Sequence, residues 1–245
     1  MNGVAIEIGP FSIHWYAILI NLGIILAIIL ARVEAKKQGL NPDTIYDIVL
    51  IALPAGIIGA RLWYVAFNLS HYIENPIQIV QPWLGGLAIH GGLIFGILAG
   101  YIYAKVKKID FFAWADLAAI GIPIAQAIGR WGNYINQEAY GYETTLPWAI
   151  YVDGAYRHPT FLYESIWNII LAGILIYVLK NRRKYKGQII LMYGIGYSLG
   201  RFWIEGLRTD SLMLGNIRVA QLISIILIIG CIYLMNKLKN EKKPE

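Results

Sequence analysis

The chain has 245 residues, of which 58% are hydrophobic and only 15% are charged, and its formal net charge is +6. A soluble domain typically carries about 25% charged residues, so this composition argues against a soluble protein and indicates one that crosses a membrane several times. The single cysteine, Cys231, excludes an internal disulfide, and the four histidines lack the HxxxH or HExxH spacing of a zinc site.

Seven apolar stretches are each long enough to cross a bilayer, which takes about 20 mostly apolar residues. They are too long and too continuous for barrel strands, so the predicted fold is all-α, a polytopic bundle of seven transmembrane helices forming one domain over residues 1–245. A small extracytoplasmic elaboration is predicted at about 130–159, where residues 147–152 are either a short strand or an aromatic interfacial patch. The predicted helices are about 12–31, 45–67, 86–104, 111–129, 160–179, 188–207 and 217–236.

The basic residues indicate how these helices cross the membrane. Every lysine follows the first, third, fifth or seventh predicted helix. Because cytoplasmic loops are rich in Lys and Arg, the N-terminus is predicted outside and the C-terminus in the cytoplasm, and the lysines are interpreted as setting topology and contacting anionic lipid. Six arginines remain on the outer side, where topology does not require them: Arg61, Arg130, Arg157, Arg201, Arg208 and Arg218.

Polar side chains within the predicted helices also collect at the outer ends. Ionisable groups inside a membrane are costly and are usually functional or paired. Only Asp47 and Asp116 fall near inner ends. The convergence from six helices predicts a site in the outer leaflet, formed by His14, Tyr16, Arg61, His90, Arg130, His158, Glu164, Arg201, Glu205 and Arg208.

The sixth predicted helix has the clearest spacing. Tyr197, Arg201, Glu205 and Arg208 follow one another at intervals of four, four and three residues, which places them on one helical face. Arg201 and Glu205 can pair, and the pair either tethers helices or belongs to the site. An arginine that faces a cavity is suited to phosphate, because its planar fork donates two parallel hydrogen bonds.

The stretch from Gly129 to Gly141 follows a long apolar run and contains three glycines, which suit a chain that leaves a helix and turns back. Arg130 and Asn133 stand one turn apart if the helix persists, or in a tight turn if it does not. Glu138 is the expected partner of one of the arginines. Asn133 and Glu138 either contact a ligand or only orient Arg130.

His90 lies between glycines, in the sequence Gly85-Gly86-Leu87-Ala88-Ile89-His90-Gly91-Gly92. The glycines are expected to open space around the imidazole, which is either a proton acceptor or a packing histidine. Glycines at four-residue spacing are interpreted as sites of close helix packing; they are Gly92, Gly96 and Gly100 in the third helix and Gly196 and Gly200 in the sixth.

Two classes of membrane protein fit these features poorly. A transporter or flippase would need a polar path through both leaflets, usually near the midplane, whereas the inner half of this chain is nearly apolar. An intramembrane protease would need a Ser–His pair or two facing aspartates at the depth of the site. The two aspartates within the predicted helices, Asp47 and Asp116, lie near the inner ends and not at that depth, and no GxSxG motif is present.

The stretch GRWGNYINQEAYG, from Gly129 to Gly141, closely resembles the signature of bacterial prolipoprotein diacylglyceryl transferases. The resemblance covers essentially the whole chain, and the family's seven-helix topology with an outside N-terminus agrees with the charge pattern. The connection between the fourth and fifth helices is compact, whereas some members carry a larger insertion there. The other matching motifs are His14-Trp15-Tyr16, Ile89-His90-Gly91-Gly92, His158-Pro159-Thr160 with Tyr163-Glu164, and Tyr197 through Arg201 to Glu205 and Arg208.

The resemblance implies an enzyme that moves the diacylglyceryl group of phosphatidylglycerol to the lipobox cysteine thiol of a prolipoprotein, the first step of bacterial lipoprotein maturation. The products are a thioether and glycerol phosphate. It implies no metal or organic cofactor, and its partners are phosphatidylglycerol, the lipobox peptide and membrane lipids, not nucleic acid. The expected location is the bacterial cytoplasmic membrane, with the active site facing the outer leaflet.

This reaction suggests a role for each candidate residue. Arg130 and Arg201 would hold the phosphate, where negative charge grows as the leaving group departs. His90 would take the thiol proton, although an arginine field alone could also lower the thiol pKa. The predicted catalytic residues are His90, Arg130, Arg201, Tyr16 and Glu205, and the predicted phosphatidylglycerol-binding residues are Arg130, Asn133, Glu138, Arg201, Tyr197, Arg208 and Glu164.

Overall fold

A computed structural model describes residues 3–9 and 11–240 of the chain. Within these residues the fold is mainly helical, with eight α-helices and, between the third and fourth of them, two short 3-10 helices at Pro76–Val80 and Pro82–Leu84. The α-helices are α1 (Trp15–Lys37), α2 (Thr44–Phe67), α3 (Leu69–Glu74), α4 (Ile89–Val106), α5 (Phe111–Ile135), α6 (Thr160–Asn181), α7 (Gln188–Glu205) and α8 (Val219–Asn240).

Within the described ranges, six helices are long and apolar enough to cross a membrane, namely α1, α2, α4, α5, α6 and α8. The predicted helical, polytopic membrane fold is therefore confirmed. The predicted helix at 188–207 corresponds to α7, which has 18 residues, as α4 has, but is not one of the six. Its polar side chains, among them Arg201 and Glu205, lower its hydropathy, and these two side chains form part of the site described below.

In the part of the chain that the structure describes, three small antiparallel hairpins interrupt the helical pattern. They pair β1 (Val4–Ile8) with β2 (Phe11–His14), β3 (Ile150–Val152) with β4 (Ala155–Arg157), and β5 (Met213–Leu214) with β6 (Ile217–Arg218). The helices predicted to begin at about residues 12 and 217 begin at 15 and 219, because residues 12 and 217 belong to hairpins. Of the two readings for 147–152, a strand forms at its last three residues.

The described chain divides into two compact units. The first contains the residues up to Gln38 and from Ala115 onward, and α7 packs there against α6 and α8. Gly196 lies against Leu171 of α6, and Gly200 lies against the indole of Trp167, so neither position has room for a side chain. The predicted close packing of these two glycines is confirmed.

Asp116 of α5 fixes the start of α7 within this first unit. Its carboxylate is fully buried and accepts hydrogen bonds from the backbone N–H groups of Gly187, Ile189 and Ile190, at 2.8, 2.9 and 2.9 Å. A helix N-terminus leaves such N–H groups without intrahelical partners. Arg183 Nη2 lies 2.9 Å from the same carboxylate. The aspartate therefore anchors the end of α7 remote from Arg201 and Glu205.

The second unit, Gly39–Trp114, is organised by the packing of α2 against α4. Gly59 and Gly91 bring the two backbones together, since a side chain at either position would collide with the other helix. Gly92 and Gly96 also face α2 closely, as predicted, whereas a side chain at Gly100 would meet no atom within 4 Å. The third glycine of the doubled motif is therefore not part of this contact.

Candidate active site

The last turns of α5 carry Arg130 and Asn133. Because α5 continues to Ile135, the two residues lie one turn apart on the same helix. Arg130 Nη1 donates a hydrogen bond to Asn133 Oδ1 at 3.2 Å, and Asn133 Nδ2 donates one to Glu138 Oε1 at 2.8 Å. Asn133 therefore lies between Arg130 and Glu138 and bonds to both. The sequence had instead predicted a direct pair between Glu138 and one of the arginines.

The chain turns back after α5 through two residues in the left-handed region, Gln137 (φ 55°) and Ala139 (φ 57°). The expectation that glycines make this turn is wrong. Gly132 lies inside α5 against the ring of Tyr16, and Gly141 lies in a close backbone contact. Non-glycine residues held in this region cost of order 1–3 kcal/mol each, and such residues cluster at functional sites. The turn carries Glu138 back towards Asn133.

Glu164, near the start of α6, is the point on which three arginines converge. Its carboxylate oxygens lie 2.5 Å from Arg130 Nη2, 2.9 Å from Arg201 Nη1 and 3.4 Å from Arg208 Nη1. The Glu164 side chain is only 4% exposed, whereas those of Arg130 and Arg201 are 21% and 20% exposed. Since a guanidinium has five N–H donors, these contacts leave donors on Arg130 and Arg201 for a second anion.

Arg201 and Glu205 lie one turn apart on α7, and their pairing, predicted from the spacing, is confirmed by a distance of 2.5 Å between Arg201 Nη2 and Glu205 Oε2. Glu205 Oε2 is buried and makes no hydrogen bond of ordinary geometry, so the contact is an ion pair by distance alone. Arg201 thus links a carboxylate of its own helix to Glu164 of α6. These contacts link the two helices and also hold the guanidinium of Arg201 in a fixed position.

Arg208 lies beyond α7, because the helix ends at Glu205. Its Nε and Nη2 donate hydrogen bonds to the two carboxylate oxygens of Asp210, at 2.9 and 2.7 Å. Burial alone would raise the pKa of Asp210, but the hydrogen bonds and positive charge of Arg208 lower it below its ordinary value. Sequence reasoning missed Asp210, although an aspartate two residues after a candidate arginine is a usable signal.

Backbone pairing brings the segment after α5 beside the segment after α7. The Tyr142 N–H donates to the carbonyl oxygen of Leu207 at 2.9 Å, and Gly141 and Arg208 form an antiparallel bridge. Arg218 Nη2 donates to the hydroxyl of Tyr142 at 2.9 Å. Residues distant in the sequence therefore meet because two short segments pair, which no local pattern predicts.

The two tyrosines predicted to shape the pocket occupy different places in the first unit. Tyr197 stacks on Tyr193 with ring centroids 5.8 Å apart and lines a small cavity with Glu164 and Arg201. Tyr16, in the first turn of α1, is 37% exposed and covers Gly132 with its ring. Tyr197 is thus placed beside the arginines, and Tyr16 beside the helix that carries Arg130.

A cavity of about 210 Å³ opens beside Asn133 and Glu138. One part of its wall is polar, and the rest consists of aromatic and aliphatic side chains. The other lining residues are Tyr134, Gln137, Tyr140, Phe161 and β3 (Ile150–Val152). A ligand in this cavity would contact Asn133, which is hydrogen-bonded to Arg130, and Glu138, which is hydrogen-bonded to Asn133.

His90 belongs to the second unit, where it is exposed in the first turn of α4. The flanking glycines do not serve mainly to open space around the imidazole. Gly91 packs against the backbone of Gly59, and Gly86 lies against the guanidinium of Arg61. An exposed imidazole can still exchange a proton with a bound substrate.

Comparison with known proteins gives a consistent result. The sequence profile of the prolipoprotein diacylglyceryl transferase family matches residues 3–236. The chain is 53% identical, over 100% of both chains, to the phosphatidylglycerol–prolipoprotein diacylglyceryl transferase of Clostridioides difficile (strain 630). It is 49% identical to the enzyme of that name from Bacillus cytotoxicus, over 98% of this chain and 93% of the relative, and 47% identical to that of Clostridium botulinum (strain Hall), over 99% and 100%. The chain therefore belongs to the prolipoprotein diacylglyceryl transferase family.

Proposed function

We propose that this chain transfers the diacylglyceryl group of phosphatidylglycerol to the lipobox cysteine of prolipoproteins, the first step of lipoprotein maturation. The observation that carries the proposal is the convergence of Arg130, Arg201 and Arg208 on Glu164. Arginines gathered around one buried carboxylate form a fixed set of donors for a phosphate group. The full-length relatives named as phosphatidylglycerol–prolipoprotein diacylglyceryl transferases support the same substrates.

The reaction is a displacement at carbon. The cysteine sulfur attacks the glyceryl carbon that bears the phosphate, a carbon–sulfur bond forms, and the carbon–oxygen bond breaks. The bonding pair leaves with the phosphate oxygen, so a phosphodiester becomes a phosphomonoester and negative charge grows there. Donors on Arg130 and Arg201 would stabilise that charge more in the transition state than in the bound lipid, and one such donor is typically worth roughly 3–4 kcal/mol.

The thiol needs a proton acceptor or a cationic field, because a free cysteine has a pKa of about 8.5 and is mostly protonated at neutral pH. In this proposal His90 accepts the thiol proton. Its exposure in the first turn of α4 supports the role, since the imidazole is open to a proton donor that comes from outside the chain.

The remaining site residues position the lipid. Asn133 and Glu138 would hold Arg130 and contact the headgroup, since both line the cavity of about 210 Å³. Tyr197 and Glu205 would shape the wall beside Arg201, and Glu164 and Arg208 would complete the phosphate site. Tyr16 would shape the pocket from the start of α1.

In the membrane, we place α1, α2, α4, α5, α6, α7 and α8 as seven spans, with the N-terminus outside and the C-terminus in the cytoplasm. The lysines after the odd-numbered spans support this orientation. The active site would then face the outer leaflet of the bacterial cytoplasmic membrane, where phosphatidylglycerol and the lipobox peptide meet it.

The test is release of glycerol phosphate from phosphatidylglycerol by the purified full chain, with peptides that carry Cys or Ser at the lipobox position. Wild type should act only on the Cys peptide. Arg130→Ala should lower the rate at least about a hundredfold, the loss typical of one transition-state donor. Arg157→Ala is the matched control, because Arg157 contacts Glu143 and Asp153 at 3.6 and 3.8 Å around the β3–β4 hairpin.

Each outcome separates a different part of the proposal. An active Arg130→Ala enzyme would move the phosphate site to other residues, Arg201 first among them, while the reaction would stand. A wild-type chain that releases no glycerol phosphate with the Cys peptide would overturn the transferase assignment itself. An equal loss in Arg157→Ala would show that the assay responds to any missing arginine on this face.

A further inference from the structure

We infer that Arg61 is a positioning residue, which fastens the chain before α4 and so sets the place of His90. The inference rests on the proposed function for the role of His90. It concerns only the second unit, in which both residues lie. Arg61 is one of the six arginines that the charge pattern assigns to the outer side, and the structure gives it a different use from Arg130 and Arg201.

Arg61 of α2 is 6% exposed and donates to backbone carbonyl oxygens on every side of its guanidinium. Its Nε donates to Ile79 at 3.0 Å, and its Nη1 donates to Gly85 at 2.5 Å and to Gly86 at 2.9 Å. Its Nη2 donates to the carbonyl oxygen of Gln78. One side chain thus holds four carbonyls from the segment between α3 and α4.

These contacts argue against a phosphate site at Arg61. A guanidinium has five N–H donors, and four of them are directed at carbonyl oxygens. The ring of Tyr72 covers the guanidinium, with the carbon Cζ 5.1 Å from the ring centroid. Arg130 and Arg201 instead meet carboxylates and keep about a fifth of their side chains exposed. Arg61 is therefore committed to the backbone.

The held segment leads directly to His90. Gly85 (φ 90°) and Gly86 (φ 76°) both adopt the left-handed region, and a side chain at Gly86 would collide with Arg61 Nη1. The Ala88 N–H then donates to the carbonyl oxygen of Ala60, the residue before Arg61, at 3.0 Å. α4 begins at the next residue, so the start of this helix is tied to α2 at adjacent points.

The consequence for catalysis is geometric. A general base must lie within hydrogen-bond reach of the proton that it removes. Small displacements far from the chemistry can lower a rate about a hundredfold. A lysine at position 61 keeps the positive charge, but its ammonium has three donors on a flexible stem and cannot hold four carbonyls in a plane. Arg61→Lys therefore removes the fastening and leaves the charge.

The experiment measures kcat and KM of the full chain for phosphatidylglycerol, with two independent changes. Arg61→Lys removes the donors, and Gly86→Ala pushes the segment away from an intact Arg61. Gly39→Ala is the matched control for backbone strain, because Gly39 is also left-handed (φ 72°) but a side chain there meets no atom within 4 Å. Hydrogen exchange at the Ala88 amide reports the fastening without any reaction.

If Arg61 acts through His90, Arg61→Lys and Gly86→Ala lower kcat by about a hundredfold and leave KM within about twofold. Arg61→Lys then causes no further fall in kcat in a His90→Gln background, because both changes remove the contribution of His90 to the rate. Exchange at Ala88 becomes faster in Arg61→Lys and Gly86→Ala, and Gly39→Ala retains wild-type kinetics.

Independent, multiplying losses in Arg61→Lys and His90→Gln would overturn the inference, as would a His90→Gln enzyme with the wild-type rate. A rise in KM with kcat unchanged would assign Arg61 to lipid binding instead. If the wild-type chain transfers no diacylglyceryl group, the proposed function is wrong, whatever the role of Arg61. Hydrogen exchange then tests the role of Arg61 without any reaction. Unchanged exchange at the Ala88 amide in Arg61→Lys would show that Arg61 does not fasten this segment.

Discussion

At the scale of single residues, Glu164 determines how the three arginines are used. Its one negative charge faces three guanidinia, so the Glu164→Gln variant leaves like charges close together with no carboxylate between them. Removing one partner of a fully buried ion pair costs roughly 3–5 kcal/mol, and the cost here should be smaller because Arg130 and Arg201 are partly exposed. The melting temperature should fall, and phosphate should bind the freed arginines more tightly.

The measurement is the melting temperature with and without glycerol phosphate. A ligand that binds the folded state raises the melting temperature according to its affinity. We expect a larger rise for Glu164→Gln than for wild type. Glu143→Gln is the control, because Glu143 is 71% exposed and pairs with Arg157 instead. An equal rise in wild type and Glu164→Gln would mean that the carboxylate does not compete with phosphate for these arginines.

The Arg208–Asp210 pair should make stability depend on acid. The pKa of Asp210 in the folded chain lies below its ordinary value, and this stabilises the fold at pH values above the unfolded pKa of about 4. The contribution disappears as the pH falls through the folded pKa. The melting temperature of wild type should therefore exceed that of Asp210→Asn by a constant margin at pH 5–8. This margin should shrink below about pH 4.

The margin should be small, because the Asp210 side chain is 49% exposed and solvent screens the pair. Arg208→Lys should remove much of it, since an ammonium cannot reproduce the two parallel hydrogen bonds. A margin that grows with acid would contradict the lowered pKa of Asp210.

Residue identity predicted this site only in part. Charge and depth indicated that Arg130, Arg201 and Glu164 would gather, and helical spacing predicted the pair of Arg201 with Glu205. Nothing local distinguished Arg61, which holds carbonyls, from the arginines that meet carboxylates. Such a difference depends on where a distant segment folds back.

At the scale of elements, the long helices were predictable because a membrane requires about 20 apolar residues and leaves few alternatives. A strand at 147–152 was predicted only as one of two alternatives, and the pairing of strands into hairpins was not predicted. Phe11, Ser12, Ile13 and His14 alternate apolar and polar side chains, which is a strand pattern, but four residues beside a long apolar run read equally well as the first turn of a helix.

α7 shows how one element can be weakly apolar and still be well placed. Its beginning is held by the buried carboxylate of Asp116, and its end is held by the contacts of Arg201 to Glu164 and Glu205. Between these ends, Gly196 and Gly200 lie against α6, and Gly194 lies against Cys231 of α8. Pairing its charges within the protein lowers the cost of placing them in a membrane, which is why low hydropathy does not argue against a spanning position.

At the scale of the whole molecule, the proposed seven spans depend on whether α7 crosses the bilayer. An 18-residue helix is about 27 Å long, close to the roughly 30 Å of a hydrocarbon core. If α7 crosses, the exposed residues Lys184 and Leu212, which precede and follow it, lie on opposite sides of the membrane. If it does not, they lie on the same side.

Single cysteines decide between these arrangements. In a Cys231→Ser background, a membrane-impermeant maleimide applied to intact cells should label Leu212→Cys and should leave Lys184→Cys unlabelled until the membrane is opened. Thr145→Cys, in the connection between α5 and α6, is the outside control, and Lys107→Cys, just after α4, is the inside control; both positions are exposed. Labelling of both Lys184→Cys and Leu212→Cys, or of neither, would remove α7 from the spans. Since α8 follows α7, the same result would also reverse the side assigned to one of the two chain termini.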